Sequence, residues 1–479
     1  MTRARSALFA VVALAVVALA APVALAQRAP LVQPFVSVDA PLVALRHARV
    51  IDGTGAPPRE DQTIVVRDGR IAAVGAKIAV PAGARVLDLT GKTVIPGLVG
   101  MHEHLFWPAK MVPGFTMFDE SFFVPQPYSF PRLYLAAGVT TARTAGSIAP
   151  YTDLAVKRQI DRGLAPGPRL DVTGPYIEGA HPRFVQFAPQ ADAAGVTRLV
   201  DYWAQEGVTS FKVYNFVTRA QLDAAIAAAH RRGLKVAGHL CSIGYREAAA
   251  AGIDSLEHGL LADSEFVPGK VPDLCPSTAL FSVNALDIKS EPVQAMIKDL
   301  VAHHVTVDST LAVFDAALGG EIDPRGLPLA VAEAQKSVAA LPAFQSQMGK
   351  MLPGIMQREL AFERAFVDAG GLLLSGCDPT GDGTVLAGFG DQRNLELLVT
   401  GGFSPVEAIH VATQNGATYL GRADIGSIAA GKRADLVVLD GNPARDIHDI
   451  EKVVTVFKDG VGYDSKKLID AVRGNVGLR

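Results

Sequence analysis

The feature that most constrains the fold is a regular alternation of short apolar runs with longer helix-like segments between residues 98 and 378. Strands that alternate with helices in this way predict parallel βα units of the α/β class. Eight such strands within about 300 residues predict a (β/α)8 barrel of the TIM type. The predicted strands cover residues 98–104, 139–145, 169–177, 209–214, 234–240, 253–258, 305–310 and 371–378.

One helix between these strands is marked at both ends. Thr218 and Gln221 form a capping box at its start, and Gly233 supplies its stop. An open, doubly wound sheet is the alternative arrangement of the same elements. Because no Gly-x-Gly-x-x-Gly motif follows the first strand, the usual nucleotide-binding reason for that alternative is missing.

The two ends of the chain carry a different strand pattern. Residues 42–99 contain short β-rich runs broken by Asp-Gly turns, and the same pattern returns after Gly431. Neither region is large enough to close a sheet alone, so we predict one small β-sandwich domain built from both ends. The predicted divisions are 27–97 and 421–479 for this domain and 98–420 for the barrel.

The first 26 residues read as a separate segment. Arg3 and Arg5 precede an apolar run over residues 7–21, and Ala-Leu-Ala at 24–26 suits a cleavage site. Because the run is shorter than the roughly 20 residues that span a bilayer, we predict a signal peptide at 1–26 rather than an anchor. We expect an exported protein, periplasmic or secreted, that does not bind membranes once the signal is removed.

Composition limits the partners of the chain. Hydrophobic residues make up 49% of it and charged residues 19%, which is enough apolar surface for a large core. A net charge of −3 provides no basic field for nucleic acid, so we expect a small-molecule partner. Three cysteines cannot form a disulfide framework. Cys241 and Cys275 follow the fifth and sixth strands and either pair in an oxidising compartment or remain free. Cys377 is predicted to be buried.

Two histidines end the first predicted strand. Successive strand residues point to opposite faces, so His102 and His104 project together and Glu103 points away. Both imidazoles can therefore reach one metal ion. A single His-x-His pair is a weak signal, but this one lies at the strand end where barrels of this type place their active sites.

Other strands end in the same way. Lys212 and Tyr214 share a face of the fourth strand, which directs a lysine into the barrel, where it is costly unless neutralised or paired. His239 ends the fifth strand, His258 the sixth and Asp378 the eighth. Each could be an ordinary core polar group, but their common position at strand ends predicts one shared site.

The order of these residues resembles the amidohydrolase superfamily, as does Val-Ile-Pro-Gly-Leu at 94–98 before the first histidine pair. The segment 426–438 is similar to the one with which such enzymes return to their small β-domain, and Ser404 opening a capped helix is also typical. The resemblance covers nearly all of the chain after residue 26. It favours the imidazolonepropionase-like and metal-dependent dipeptidase branches, with N-acyl amino acid amidases and ochratoxin-type amidases.

The resemblance implies a centre with two divalent metal ions. His102, His104 and Asp378 would hold one ion, and His239 and His258 would hold the other. Lys212, carboxylated by CO2, would bridge them. Imidazole and carboxylate ligands suit zinc best, with manganese, cobalt and iron as alternatives.

The resemblance also implies amide hydrolysis. Two metal ions would lower the pKa of a bridging water from about 15.7 towards about 7 and so supply hydroxide. Asp378 would accept a proton and return it to the leaving amine. The expected substrate is an N-acyl amino acid or a dipeptide-like amide. The alternatives are a lactonase or phosphotriesterase on the same centre and a metal-free scaffold.

Further residues are predicted around this centre. Tyr214 is in phase with Lys212, and His181 and Arg183 lie in a loop after the third strand, so we expect these three to contact substrate. Arg143 lies inside the second strand, where it could pair with an acid, and a structural role is expected for it. The segment 311–369 is helical in pattern and either covers the site or forms an oligomer contact; we expect a homo-oligomer.

Overall fold

The computed structural model describes residues 28–110, 121–180, 182, 184–187, 189–339, 342–380 and 383–477. The predicted signal peptide at 1–26 lies outside these residues, as do His181 and Arg183. Within the described part, no helix combines the length and apolarity that a membrane crossing needs.

The chain forms strands in its first quarter, then alternates strands and helices, and ends again in strands. In chain order the strands are β1 Val36–Val38, β2 Leu42–Val50, β3 Arg59–Arg67, β4 Arg70–Gly75, β5 Arg85–Asp88, β6 Thr93–Pro96, β7 Leu98–Glu103, β8 Phe106–Lys110, β9 Ser121–Pro125, β10 Val139–Thr144, β11 Arg169–Asp171, β12 Ser210–Val213, β13 Lys235–Gly238, β14 Ser255–Glu257, β15 Thr306–Ser309, β16 Leu373–Ser375, β17 Leu436–Leu439, β18 Val453–Lys458 and β19 Val461–Asp464.

The α-helices lie mostly between residues 129 and 419. They are α1 Ser129–Ala136, α2 Pro150–Asp161, α3 Ala193–Glu206, α4 Arg219–His230, α5 Tyr245–Ala251, α6 Ala279–Asn284, α7 Glu291–Ala302, α8 Leu311–Ala317, α9 Ala332–Ala339, α10 Pro342–Met351, α11 Ile355–Asp368, α12 Phe389–Thr400, α13 Pro405–His410, α14 Gly416–Tyr419 and α15 Ser465–Asp470. Single 3-10 turns and a π-helical turn at Val411–Asn415 complete the set.

A nine-stranded sheet joins the two ends of the chain. Its order is β1-β19-β18-β17-β6-β2-β3-β4, with β5 paired to β2, and the antiparallel pair β6–β17 connects the two halves. Its hairpins turn at Asp68-Gly69 and Asp459-Gly460, where all four residues have positive φ, the conformation that Asp-Gly turns favour. The sequence did not predict β6, because its four residues are all buried and lack the alternation of a half-exposed strand.

The eight strands predicted for the α/β part are all present, each shorter than its predicted range. They form two parallel sheets, β11-β10-β7 and β12-β13-β14-β15-β16. Isolated parallel bridges, Thr173 to Ser210 and Ile177 to Val213, join the first sheet to the second. On the other side, the Asp378 N–H donates to the His102 carbonyl at 2.9 Å, so the ends of β7 and β16 also meet.

An antiparallel ribbon was not predicted from the sequence. β8 and β9 pair from Phe106 opposite Pro125 to Lys110 opposite Ser121, directly after the histidine pair. The segments contain proline and adjacent aromatic residues instead of an alternating pattern, which explains why a strand was not recognised. The ribbon places Phe106 and Phe123 beside the C-terminal ends of the parallel strands.

The structure confirms the helix starts that the sequence predicted. Thr218 and Gln221 form the predicted capping box of α4, and Ser404 and Glu407 form one at α13. The segment 311–369 is helical, as predicted, and contributes α8 to α11.

The cysteines divide into a pair and a buried thiol. Cys241 and Cys275, whose pairing the sequence left open, form a disulfide. Cys377 is free and fully buried, as predicted.

Candidate metal centre

All six candidate ligands line one cavity of about 230 Å³. The cavity lies where the C-terminal ends of the parallel strands meet. The six residues are His102, His104, Lys212, His239, His258 and Asp378.

Backbone conformation directs two of them into the cavity. His258 and Asp378 follow β14 and β16 with φ values of 69° and 45°, a left-handed conformation that non-glycine residues rarely adopt. Gly376 lets β16 approach the first histidine pair, because a Cβ there would collide with the backbone of His102. Such strain is typical of functional positions that the surrounding fold holds in place.

The candidate ligand atoms lie close enough together to bind shared metal ions. Nε2 of His104 lies 3.2 Å from one carboxylate oxygen of Asp378, and Nε2 of His102 lies 4.0 Å from the other. Nζ of Lys212 lies 3.1 Å from the same His102 nitrogen. The His258 ring lies 4.5 Å from the ring of His102 and 4.3 Å from that of His239, between centroids. Donor atoms of His102, His258 and Asp378 all lie within 4.8 Å of one another, as a metal site requires.

Polar neighbours hold the opposite edge of three imidazoles. Nδ1 of His102 lies against the Glu257 carboxylate, and Nδ1 of His104 lies 3.3 Å from the Gly146 carbonyl. Nδ1 of His258 lies 2.7 Å from the Thr310 hydroxyl. A carboxylate only accepts hydrogen bonds, so a proton on Nδ1 of His102 would face Glu257 and leave the Nε2 lone pair towards the cavity. In His104 both ring nitrogens face oxygen atoms.

Burial keeps the imidazoles neutral. It lowers the pKa of His104 and, more strongly, those of His102, His239 and His258, and the nearby Lys212 adds to this effect in all four. A neutral imidazole is the form that binds metal ions.

The lysine and the aspartate differ in their environment. Burial lowers the pKa of Lys212, which forms no ion pair with a carboxylate among the described residues. Burial alone would raise the pKa of Asp378, but the hydrogen bond with His104 and the proximity of His102 hold it well below its usual range. Four neutral imidazoles and a carboxylate fit divalent cations of the zinc type.

Aromatic side chains form one wall of the cavity. The Tyr176 ring stacks on Phe187 with 4.1 Å between centroids, and its hydroxyl lies 3.4 Å from Nε2 of His104. Phe314, in α8, meets the His258 ring edge-on. The aromatic residues of the wall are Phe106, Phe123, Tyr176, Phe184, Phe187, Tyr214 and Phe314, and α8 and α10 add Val313, Ala317, Leu318 and Met348.

The structure places the other candidate residues as follows. Tyr214 lines the cavity beside His239, at 4.7 Å between ring centroids. Arg143 pairs with two buried acids, Glu257 and Asp308; the sequence suggested an acidic partner but did not name one. His181 and Arg183 lie outside the described residues.

Sequence reasoning missed several cavity residues. Thr380 donates to Asp378 at 3.0 Å, and Tyr176 reaches the first histidine pair. Tyr176 lies near the end of a predicted strand and could have been found by the rule that selected the ligands. Phe106 and Phe123 could not, because the ribbon that carries them was itself not predicted.

Comparisons with known proteins agree with this arrangement. The chain matches the model of the amidohydrolase family over residues 93–271 and 364–462. Imidazolonepropionase from Deinococcus radiodurans is 25% identical over 404 residues, which cover 81% of this chain and 88% of that protein.

Two solved structures share the fold. One is a Xaa-Pro dipeptidase with bound methionine in the active site, with a TM-score of 0.66 at 21% identity, covering 88% of this chain and 100% of that one. The other is A. niger ochratoxinase, with a TM-score of 0.62 at 18% identity, covering 89% of this chain and 96% of that one. At these identities the likeness concerns the fold alone.

The fold and the cavity define a protein of the α/β class with an additional sheet domain and a donor set suited to divalent cations. The family model matches more than half of the chain, so the chain belongs to the amidohydrolase family. It is a hydrolase that acts on carbon–nitrogen bonds. Enzymes of this family typically use divalent metals, which disfavours the metal-free scaffold considered from the sequence.

Proposed function

We propose that the protein is an exported, metal-dependent amidase that cleaves an N-acyl amino acid or a dipeptide-like amide. The observation that carries the proposal is the convergence of six donor side chains on a cavity with an aromatic wall. We treat the eight parallel strands as a closed (β/α)8 barrel and the nine-stranded sheet as part of the small β-domain.

The division of the ligands between two metal ions is the one that the family resemblance implies, and the shared cavity supports it. His102, His104 and Asp378 would bind one ion, and His239 and His258 the other, with Lys212 as a carbamate between them. A buried amine without a carboxylate partner suits CO2 capture, because the carbamate would supply the missing negative charge. When bound, two zinc-type ions polarise the scissile carbonyl and make the attacking water more acidic.

Asp378 is proposed as the proton carrier of the reaction. Its carboxylate faces the cavity and is ionised, so an oxygen lone pair is free to accept a proton from the attacking water. The Thr380 hydroxyl donates to it at 3.0 Å and fixes its orientation. The same carboxyl then returns the proton to the amine nitrogen, which leaves poorly without it.

The cavity wall supports a substrate with an apolar or aromatic group next to the scissile amide. The wall offers aromatic rings on one side and aliphatic side chains of α8 and α10 on the other. The predicted substrate contacts are Tyr214, which would bond the substrate carbonyl or carboxylate, and His181 together with Arg183. Two fold neighbours are named as a Xaa-Pro dipeptidase and an ochratoxinase, and we therefore choose dipeptides and N-acyl amino acids as test substrates.

Export is proposed from the N-terminal segment and from the cysteines. Disulfides form and persist in oxidising compartments, and the Cys241–Cys275 bond supports a periplasmic or secreted location. We propose a homo-oligomer as the assembled form.

The test uses purified full-length protein loaded with zinc or manganese. We expect about two metal ions per chain and turnover of members of an N-acyl amino acid and dipeptide panel, with activity lost on chelation and restored by metal. Lactones and phosphotriesters in the same panel test the alternative chemistry. A folded, metal-loaded protein that cleaves lactones or phosphotriesters but no amide would contradict the proposal.

A further inference from the structure

A buried ion-pair network lies behind the candidate ligands, and the hydrolytic steps above do not use it. Arg143, in β10, is 2% exposed, and its Nη2 donates to Glu257 and to Asp308, each at 2.9 Å. Its Nε donates to the Met101 carbonyl at 2.6 Å. One side chain therefore joins β7, β10, β14 and β15 through the core.

Glu257 connects this network to the first histidine pair. It is fully buried, and its two oxygens have different neighbours: Oε1 accepts from Arg143, whereas Oε2 lies against Nδ1 of His102. Among the described residues, neither Oε2 nor Nδ1 of His102 has a hydrogen-bond partner, so two buried polar atoms face each other at this contact. The contact orients the His102 ring with Nε2 towards the cavity, where that nitrogen lies 3.1 Å from Lys212.

The network is not a second metal site. Donor atoms of His102, Glu257 and Asp308 lie within 4.8 Å of one another, as a metal site would require. The Arg143 guanidinium already occupies the place of the cation, with hydrogen bonds to both carboxylates. A carboxylate at this depth requires such a compensating cation, because removal of the partner would leave an unpaired buried charge.

We propose that Arg143 and Glu257 are positioning residues for the metal centre: Arg143 holds the Glu257 carboxylate, and Glu257 holds His102 with its proton on Nδ1 and its lone pair on Nε2. The inference rests on the proposed function, in which His102 is a metal ligand. Partners of ligating histidines commonly change metal affinity about 10–100-fold.

The first experiment compares two amide substitutions in the same network. In Glu257→Gln, an amide oxygen towards His102 would turn the NH2 group against the Arg143 donors. The opposite rotamer would place the NH2 group against Nδ1 and move the ring proton to Nε2. Asp308→Asn is the matched control, because Asp308 shares the burial and the bond from Arg143 but, among the described residues, forms no ion pair or hydrogen bond with His102.

Zinc affinity of the full-length protein is measured by competition with a chromogenic chelator. We expect Glu257→Gln to weaken zinc binding about 10–100-fold with an unchanged circular dichroism spectrum, and Asp308→Asn to stay within about threefold of wild type. Wild-type affinity in folded Glu257→Gln would overturn the inference. So would an equal loss in Asp308→Asn, which would indicate a general effect on the core.

A measurement on the wild-type protein covers the case in which Glu257→Gln does not fold. The NMR spectrum of metal-free protein with 15N-labelled histidine reports which ring nitrogen carries the proton. The His102 signals are those that disappear in His102→Asn, and we expect the His102 proton on Nδ1. A proton on Nε2 would overturn the inference. Failure of the proposed function gives a different result: either wild-type protein binds no zinc, or it binds zinc and fails only in the amide panel, which leaves the two affinities to be compared.

Discussion

Nζ of Lys212 lies 3.1 Å from Nε2 of His102, and both side chains are almost completely buried. A buried ammonium needs a counter-charge, and among the described residues none forms an ion pair with it. The position instead suits a neutral amine that gains a carboxyl group. In the proposed centre, the pair would connect carboxylation of Lys212 with metal binding by His102.

Replacement of Lys212 by alanine tests this connection. We expect Lys212→Ala to lose at least one of about two metal ions per chain and to lower kcat/KM about 10³-fold or more, because the bridging ligand is gone. Millimolar acetate or propionate should restore part of the activity by entering the vacated space as a carboxylate. Metal analysis and steady-state kinetics measure both effects.

Lys432→Ala is the control for that substitution. Lys432 is partly buried and donates to the Ile425 carbonyl at 3.0 Å, away from the cavity. We expect wild-type metal content and activity. Full metal content in folded Lys212→Ala would contradict the bridging role.

Asp378→Asn tests the proton carrier. An asparagine keeps the size of the side chain but cannot accept and return a proton, so we expect the rate of amide hydrolysis to fall about 10²–10⁴-fold. An ester with the same acyl group should lose less, because an alkoxide leaves more readily than an amine anion. The kinetics of the two substrates on metal-loaded variant give the comparison; equal losses would argue for a purely ligating role.

The parts of the site that the sequence predicted share a physical property. His102, Lys212 and Asp378 lie on strands or at their ends, where a period of two fixes the face and the strand end fixes the depth. A short apolar strand followed by a polar residue is recognisable without knowledge of its neighbours. Their meeting in one cavity follows from parallel strands that end on the same side.

The parts that the sequence did not predict depend on contacts between distant segments. The sequence assigned no role to Glu257, the residue before His258, and its contact with the distant His102 ring appears only in the structure. The role of Asp308 depends on Arg143, which lies 165 positions earlier in the chain. Neither relationship has a local signature.

The buried histidines make the stability of the metal-free protein depend on pH. Their folded-state pKa values lie below the ordinary 6.5, so below about pH 6.5 the unfolded chain binds protons that the folded chain does not. This contribution lowers the free energy of unfolding as the pH falls. Asp153, Glu178 and Asp263, whose pKa values burial raises to about 7, act in the opposite direction.

A comparison with His239→Asn separates the two effects. Between about pH 8 and about pH 5.5, we expect the free energy of unfolding to fall further in metal-free wild type than in metal-free His239→Asn. Calorimetry at several pH values measures the difference. His304→Asn, at an exposed position before β15, should follow wild type. Parallel pH curves for wild type and His239→Asn would contradict the expectation.

The disulfide should stabilise the fold without forming part of the cavity. It joins Cys241 and Cys275 across 34 positions, and the entropy of a loop of that length corresponds to about 3–4 kcal/mol. We expect the double substitution Cys241→Ser with Cys275→Ser to lower Tm by several degrees and to leave the metal stoichiometry unchanged. An unchanged Tm, measured by calorimetry with metal bound, would contradict this role.

Phe314 tests whether the segment 311–369 selects the substrate. Its ring projects from α8 into the cavity and lies 5.6 Å from the His258 ring between centroids. Loss of an apolar contact of this size costs about 2 kcal/mol, so Phe314→Ala should lower kcat/KM about 30-fold for amides with an aromatic acyl or side-chain group. Amides with a small group should change much less, because they do not reach the ring.

Phe281→Ala provides the matched control for that experiment. Phe281 lies in α6, is 46% exposed and does not line the cavity, so its loss should affect neither class of amide. The ratio of kcat/KM for aromatic and small amides is the quantity to compare across the three proteins. An equal fall for both classes in Phe314→Ala would mean that α8 supports the metal centre and does not choose the substrate.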